Sequence, residues 1–196
     1  MTAGTPTGYL WPSEDYHLAF YAYYPYGSEH LSLLSTASDK GAPTYGYTVP
    51  SDISTQLDIM TAQVTDHPGG PQRACQLPFT HHCAAIRVVF TNEKDTPLKV
   101  NSISVSGVKY SGTLHEGTWT LDEPVNSSVA NPFILSFGEG DGIVPGSGVT
   151  NLTGTERILL LLPQTLTANA LLTVETDKGR FEGVLTGTWT AGNTYT

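Results

Sequence analysis

Four side chains near the middle of the chain have the chemistry of a metal site or a thiol nucleophile: Cys75, His81, His82 and Cys83. Imidazole and thiolate are zinc ligands, and a thiolate beside an imidazole is what a cysteine nucleophile needs. Their spacing works against both. Neighbours on an extended strand point to opposite faces, so His81 and His82 cannot reach one ion together. His81 and Cys83 share a face, yet Cys75 is distant and no fourth ligand is evident. Cys83 sits in an apolar stretch, which raises a thiol pKa instead of activating it. We therefore read hydrogen-bonded structural histidines and packed free thiols, with no metal ligand set, no cofactor site and no catalytic residue. A disulfide needs Cα atoms about 4.4–6.8 Å apart, whereas an extended segment holds Cys75 and Cys83 roughly 26 Å apart.

Other chemistries are as weakly supported. No serine stands in a G-x-S-x-G elbow. The carboxylate pairs Asp122 with Glu123 and Glu139 with Asp141 lie in Pro- or Gly-rich connections, where solvated loop charge is the ordinary meaning. The glycine-rich run Gly138 to Gly146 lacks the Lys-Ser/Thr that follows a phosphate loop, and reads as a surface loop. The sequons at Asn126 and Asn151 arise by chance in so Ser/Thr-rich a chain and decide nothing. The chain is not read as an enzyme.

Charge narrows the partners. Nine Lys and Arg against eighteen Asp and Glu give a net charge of −9, and the bases are scattered singly. Phosphate backbones are repelled by such a chain, so no nucleic-acid role is expected. The longest strongly apolar run, Ile158 to Leu162, is closed by Pro163 and is far short of the roughly 20 residues a membrane helix needs.

The elements that must position any site are strands. Charged residues make up only 14% of the 196 positions, Thr, Ser, Gly and Tyr abound, and helix formers are scarce, so the chain reads as all-β. Alternation predicts a strand from His17 to Tyr24 with Leu18, Phe20, Ala22 and Tyr24 on the inner face. Tyr21 and Tyr23 then face outward as candidate contacts for a glycan or a host protein, since flat aromatic faces bind either at small entropic cost. A second layer covering both rings is the blander alternative.

A short strand is expected at Tyr45–Val49, and Ile53–Ala62 fits extended chain or helical turns equally. The run His67-Pro68-Gly69-Gly70-Pro71-Gln72 reads as a loop. Gln76 to Phe90 reads as the longest strand. Its apolar parity changes side, so a bulge near Cys83-Ala84 or burial of both faces is expected. A polar link at Thr91–Pro97 predicts an antiparallel hairpin into Leu98–Val105. Further strands are expected at Val108–Leu114, Thr118–Leu121, Pro132–Phe137, Arg157–Leu162, Ala170–Thr176 and Arg180–Thr186, the last two joined through Asp177-Lys178-Gly179. Many short strands without strand-helix alternation indicate a sandwich.

Four segments occur in a fixed order: Val49-Pro50-Ser51-Asp52-Ile53, Leu77-Pro78-Phe79-Thr80-His81, Leu162-Pro163-Gln164, and Trp189 with Gly192 and Tyr195. Together they span nearly the whole chain and resemble the fimbrillin family of pilus subunits and surface lipoproteins. The resemblance implies a Greek-key, transthyretin-like β-sandwich, taken here as one domain over residues 1–196 of a longer two-domain subunit. It implies assembly with other pilus subunits by strand addition, display at the cell surface, and outer-membrane association through a lipid anchor outside this chain. It carries over no catalytic residue.

Overall fold

The computed structural model describes residues 12–35, 41–70, 74–94, 96–127, 129–138, 142–154 and 158–196. In chain order, β1 (His17–Tyr24), β2 (Leu31–Leu33) and β3 (Thr44–Thr48) are followed by a single 3-10 turn at Ile53–Thr55 and by β4 (Met60–Pro68). Next come β5 (Thr80–His81), β6 (Ala84–Ile86), β7 (Val89–Phe90), β8 (Val100–Ser106), β9 (Ser111–His115) and β10 (Thr118–Leu121). The last six are β11 (Phe133–Ser136), β12 (Thr150–Asn151), β13 (Leu159–Leu161), β14 (Leu171–Thr176), β15 (Gly179–Val184) and β16 (Thr194–Tyr195). The fold is all-β and sandwich-like. Among the described residues no helix is long and apolar enough to cross a membrane.

The strands form five sheets, ordered β1-β4-β5, β10-β9-β3-β2, β11-β8-β14-β15, β12-β7 and β13-β6-β16. Among the described residues every strand pairing is antiparallel except β16 with β6, which is parallel. One cluster of buried side chains joins the layers, including Val49, Ile59, Val100, Ile103, Val105, Phe133, Leu159 and Leu161. Each such side chain contributes about 1.5–3 kcal/mol on leaving water. Along β8, Ile103 and Val105 face that interior while Ser102 and Ser104 are only half-buried, the period of two that the sequence carries.

Several expectations hold at strand level. β1 and β10 have the expected bounds, and β14 and β15 form the expected hairpin, with Thr176 opposite Gly179. Ile53–Ala62 uses both of its options. Asp52 caps the 3-10 turn, its Oδ1 accepting from the Ser54 N–H at 2.9 Å, and the chain then extends into β4.

Other expectations are corrected. Gln76–Phe90 is not one long strand: it breaks into β5, β6 and β7, which belong to three different sheets. One break falls at His82-Cys83, where the apolar parity changes, because side chains that must point inward on both sides of this point cannot follow one pleat, and a second falls at Arg87-Val88. The hairpin between this segment and Leu98–Val105 does not form. β8 pairs with β11 and β14, and β7 with β12, since the buried Val100, Ile103 and Val105 of β8 find more burial between strands of four and six residues than beside a two-residue one. The glycine run after β4 is also more than a loop. β4 reaches Pro68, and a Cβ on Gly69 would meet the Ser13 carbonyl oxygen at 2.3 Å. The Gly69 and Gly70 N–H groups donate to the Tyr16 and Pro12 carbonyls, both at 2.8 Å, so the pair clamps the chain entering β1.

Candidate functional site

The histidines and cysteines are built into structure. His82 is buried, its Nε2 lies 2.7 Å from the Thr61 hydroxyl, and its carbonyl accepts from the Trp119 indole at 2.9 Å. Burial lowers its pKa, against the opposing pull of Asp58, so the ring is neutral near pH 7. His81 turns the other way and bonds through Nδ1 to Asp58, whose second oxygen accepts from the Cys83 N–H at 3.3 Å. Burial pushes the Cys83 thiol up to about 12, the reverse of what a nucleophile requires. Cys75 and Cys83 are both free, Cys83 buried and Cys75 only half so. Of the carboxylate pairs, Asp122 accepts from the Ser111 hydroxyl at 2.6 Å and Glu123 bonds Lys109, while Glu139 and Asp141 lie outside the described residues, as does Arg157.

The two tyrosines singled out in the sequence occupy one face of β1 but different surroundings. Tyr23 packs on the core, its ring centroid 5.2 Å from that of Tyr45, whereas Tyr24, expected inside, is 43% exposed. Both parities of β1 are apolar or aromatic, so alternation could not choose the face; contact with Tyr45 of β3 chooses it. Tyr21 stands opposite Gln63 on β4 and lines a cavity of about 320 Å³. Tyr45, Leu114, Pro43 and Pro78 also line it, together with Thr80 of β5 and Glu116 of the β9–β10 turn.

A second concavity lies between sheets. It has a volume of about 240 Å³ and an apolar lining that includes Val88, Val105, Leu172, Leu185 and Trp189. Leu185, directly after β15, and Tyr195 of β16 also line the groove, so it adjoins β16 and the end of β15, both edge strands among the described residues. β15 is exposed along all six residues, with Phe181 50% and Val184 58% accessible. Arg87 lines the groove as well, and its Nε is buried without a hydrogen-bond partner among the described residues. Periodicity marks β15 as a strand but not as an edge, which is why the groove was missed in the sequence.

Segments that occur in fixed order along the sequence tie the sandwich together. Val49 is fully buried, its N–H donating to the Tyr110 carbonyl at 2.8 Å and its carbonyl accepting from Asn131 at 2.8 Å. Gln164 and Trp189 exchange both backbone hydrogen bonds, at 3.0 and 2.8 Å. The Gln164 side chain acts as an extra strand position, taking the Lys109 N–H at 2.8 Å and donating to the Lys109 carbonyl at 3.0 Å and the Leu162 carbonyl at 3.1 Å. Gly192 donates to the Cys83 carbonyl at 2.8 Å, which docks the last strand on β6.

The family model described as fimbrillin-like matches residues 1–196. Among solved structures, a candidate cell adhesion protein of Bacteroides ovatus is similar over 99% of this chain and 68% of its own, with a TM-score of 0.65 at 18% identity. Another from Bacteroides uniformis is similar over 92% of this chain and 68% of its own, with a TM-score of 0.56 at 18% identity. No curated protein matches the sequence.

Proposed function

From the premise that this chain belongs to the fimbrillin-like family, we propose that it is a structural and adhesive subunit of a bacterial surface pilus, joined to neighbouring subunits by strand addition. Residues 1–196 act as one β-sandwich domain in this reading, displayed at the cell surface with outer-membrane association through a lipid anchor. The observation that carries it is the apolar groove that adjoins β16 and the end of β15, both edge strands among the described residues. An edge strand presents unpaired backbone N–H and C=O groups, and a strand from another subunit satisfies them while its alternate side chains enter the groove.

Edge β15 already carries what keeps a monomer soluble. Arg180 bonds Glu182 at 2.6 Å and lies 3.6 Å from Glu175, placing charge on the rim that limits indiscriminate pairing. Phe181→Lys combined with Val184→Lys tests the proposal, because both side chains are exposed and the monomer tolerates the change. Polymer ladders that resist mild heat in gel electrophoresis are expected from the parent chain and lost in the double variant, with near-UV circular dichroism unchanged. Ladders of undiminished length in the double variant would refute assembly along β15.

A further inference from the structure

We propose that the cavity beside Tyr21 is a binding site for a neutral saccharide, separate from the assembly groove. Its shape and chemistry point the same way. The volume of about 320 Å³ is at the small end of ligand pockets. Tyr45, Leu114, Pro43 and Pro78 contribute apolar lining, and the Tyr21 ring offers a flat half-buried wall. A pyranose has an apolar C–H face and a rim of hydroxyls, and it matches a surface that pairs an aromatic plane with hydrogen-bonding groups at its margin.

Those groups are present and unspent. The Tyr21 hydroxyl, the Gln63 amide and the Thr80 hydroxyl have no hydrogen-bond partner among the described residues. Between them they supply donors and acceptors in the mixed set that sugar hydroxyls require. Among the described residues no Lys or Arg lines the cavity, and His82, which also lines it, is kept neutral by burial. Glu116 at the rim accepts from two adjacent hydroxyls in the way a carboxylate accepts any paired donors.

Glu116 supplies an independent observation. It has φ 47°, in the left-handed region, and with Gly117 it makes the two-residue turn between His115 and Thr118. Such turns favour Asn-Gly or Asp-Gly, and a glutamate there costs backbone energy without a turn-stabilising side-chain bond. Its carboxylate comes no closer than 4.0 Å to His115, its only ionic neighbour among the described residues. The Glu116 side chain is 63% exposed at the cavity mouth, where its carboxylate is open to a ligand hydroxyl.

The test uses the whole chain with galactose, mannose and N-acetylglucosamine as probes, read by saturation-transfer NMR and titration calorimetry, with choline as a cationic comparison. At least one hexose is expected to bind. Tyr21→Ala is expected to weaken it about tenfold, through loss of the ring contact. Glu116→Gln weakens it several-fold, and Tyr26→Ala, an 87% exposed aromatic outside the cavity, leaves it unchanged. If Tyr21→Ala disturbs the near-UV signal, Tyr21→Phe and Gln63→Ala replace it, and a loss of affinity in either supports the site. Absence of transfer to all three hexoses, binding of choline alone, or hexose binding indifferent to Tyr21, Gln63 and Glu116 would overturn the proposal.

Discussion

Replacing Gln164 tests whether its side chain closes the sandwich as an extra strand position. Gln164→Ala removes three hydrogen bonds, two with Lys109 and one with the Leu162 carbonyl, and leaves the Gln164–Trp189 backbone pair in place. Each bond contributes about 1 kcal/mol net, so with Gln164 and Lys109 half-buried and partly reachable by water the expected loss is about 2–3 kcal/mol. Urea denaturation reads this as a lower midpoint with an unchanged slope. Gln164→Glu separates hydrogen bonding from packing. The substituted carboxylate still accepts from the Lys109 N–H but sets an oxygen against two carbonyls, so near pH 7 it costs at least as much as alanine. Those carbonyls raise its folded-state pKa above the ordinary value of about 4.3. Stability is then retained below the unfolded pKa and lost as pH rises through the folded one, so the deficit against the parent narrows toward about pH 4. If both variants stay within about 0.5 kcal/mol of the parent at pH 7, the side chain is ordinary surface and the reasoning fails.

Three further outcomes are expected. Gly107→Ala is expected to abolish or severely reduce soluble folded protein, because the residue has φ 73° and a Cβ there would meet the Asn169 carbonyl oxygen at 2.0 Å; expression with near-UV circular dichroism reads it. Glu116→Asn is expected to raise stability by about 0.5–1 kcal/mol by fitting the left-handed turn position, measured as a higher urea midpoint, while weakening hexose binding. His82 makes stability pH-dependent: burial lowers its folded pKa, so the stabilisation is whole above the unfolded value of about 6.5 and declines as pH falls through the folded one. His82→Gln, which keeps a polar partner for Thr61, is expected to flatten that decline in thermal melts between pH 7 and 5.

Local chemistry carried much of the architecture. The all-β class, the strand at His17–Tyr24, the Thr118–Leu121 strand and the hairpin through Asp177 and Lys178 follow from alternation and turn residues, which act over a few positions. The unsuitability of Cys83 as a nucleophile was likewise readable, since an apolar neighbourhood is itself a sequence property, and the ordered Pro- and Trp-containing segments pointed to the family.

Partner choice was not readable in the same way. Whether β8 pairs with β7 or with β14, and whether β16 lies parallel to β6, depends on how much surface each arrangement buries across sequence separations of tens of residues. Tyr21 and Tyr23 show the same division within one strand. Residue type made both rings candidates for contact, but only the approach of Tyr45 from another sheet set the half-buried Tyr23 against the core, while Tyr21 lines a cavity. The edge at β15 is the extreme case, because an edge is defined by the lack of a neighbouring strand among the described residues, and no residue type encodes a missing neighbour.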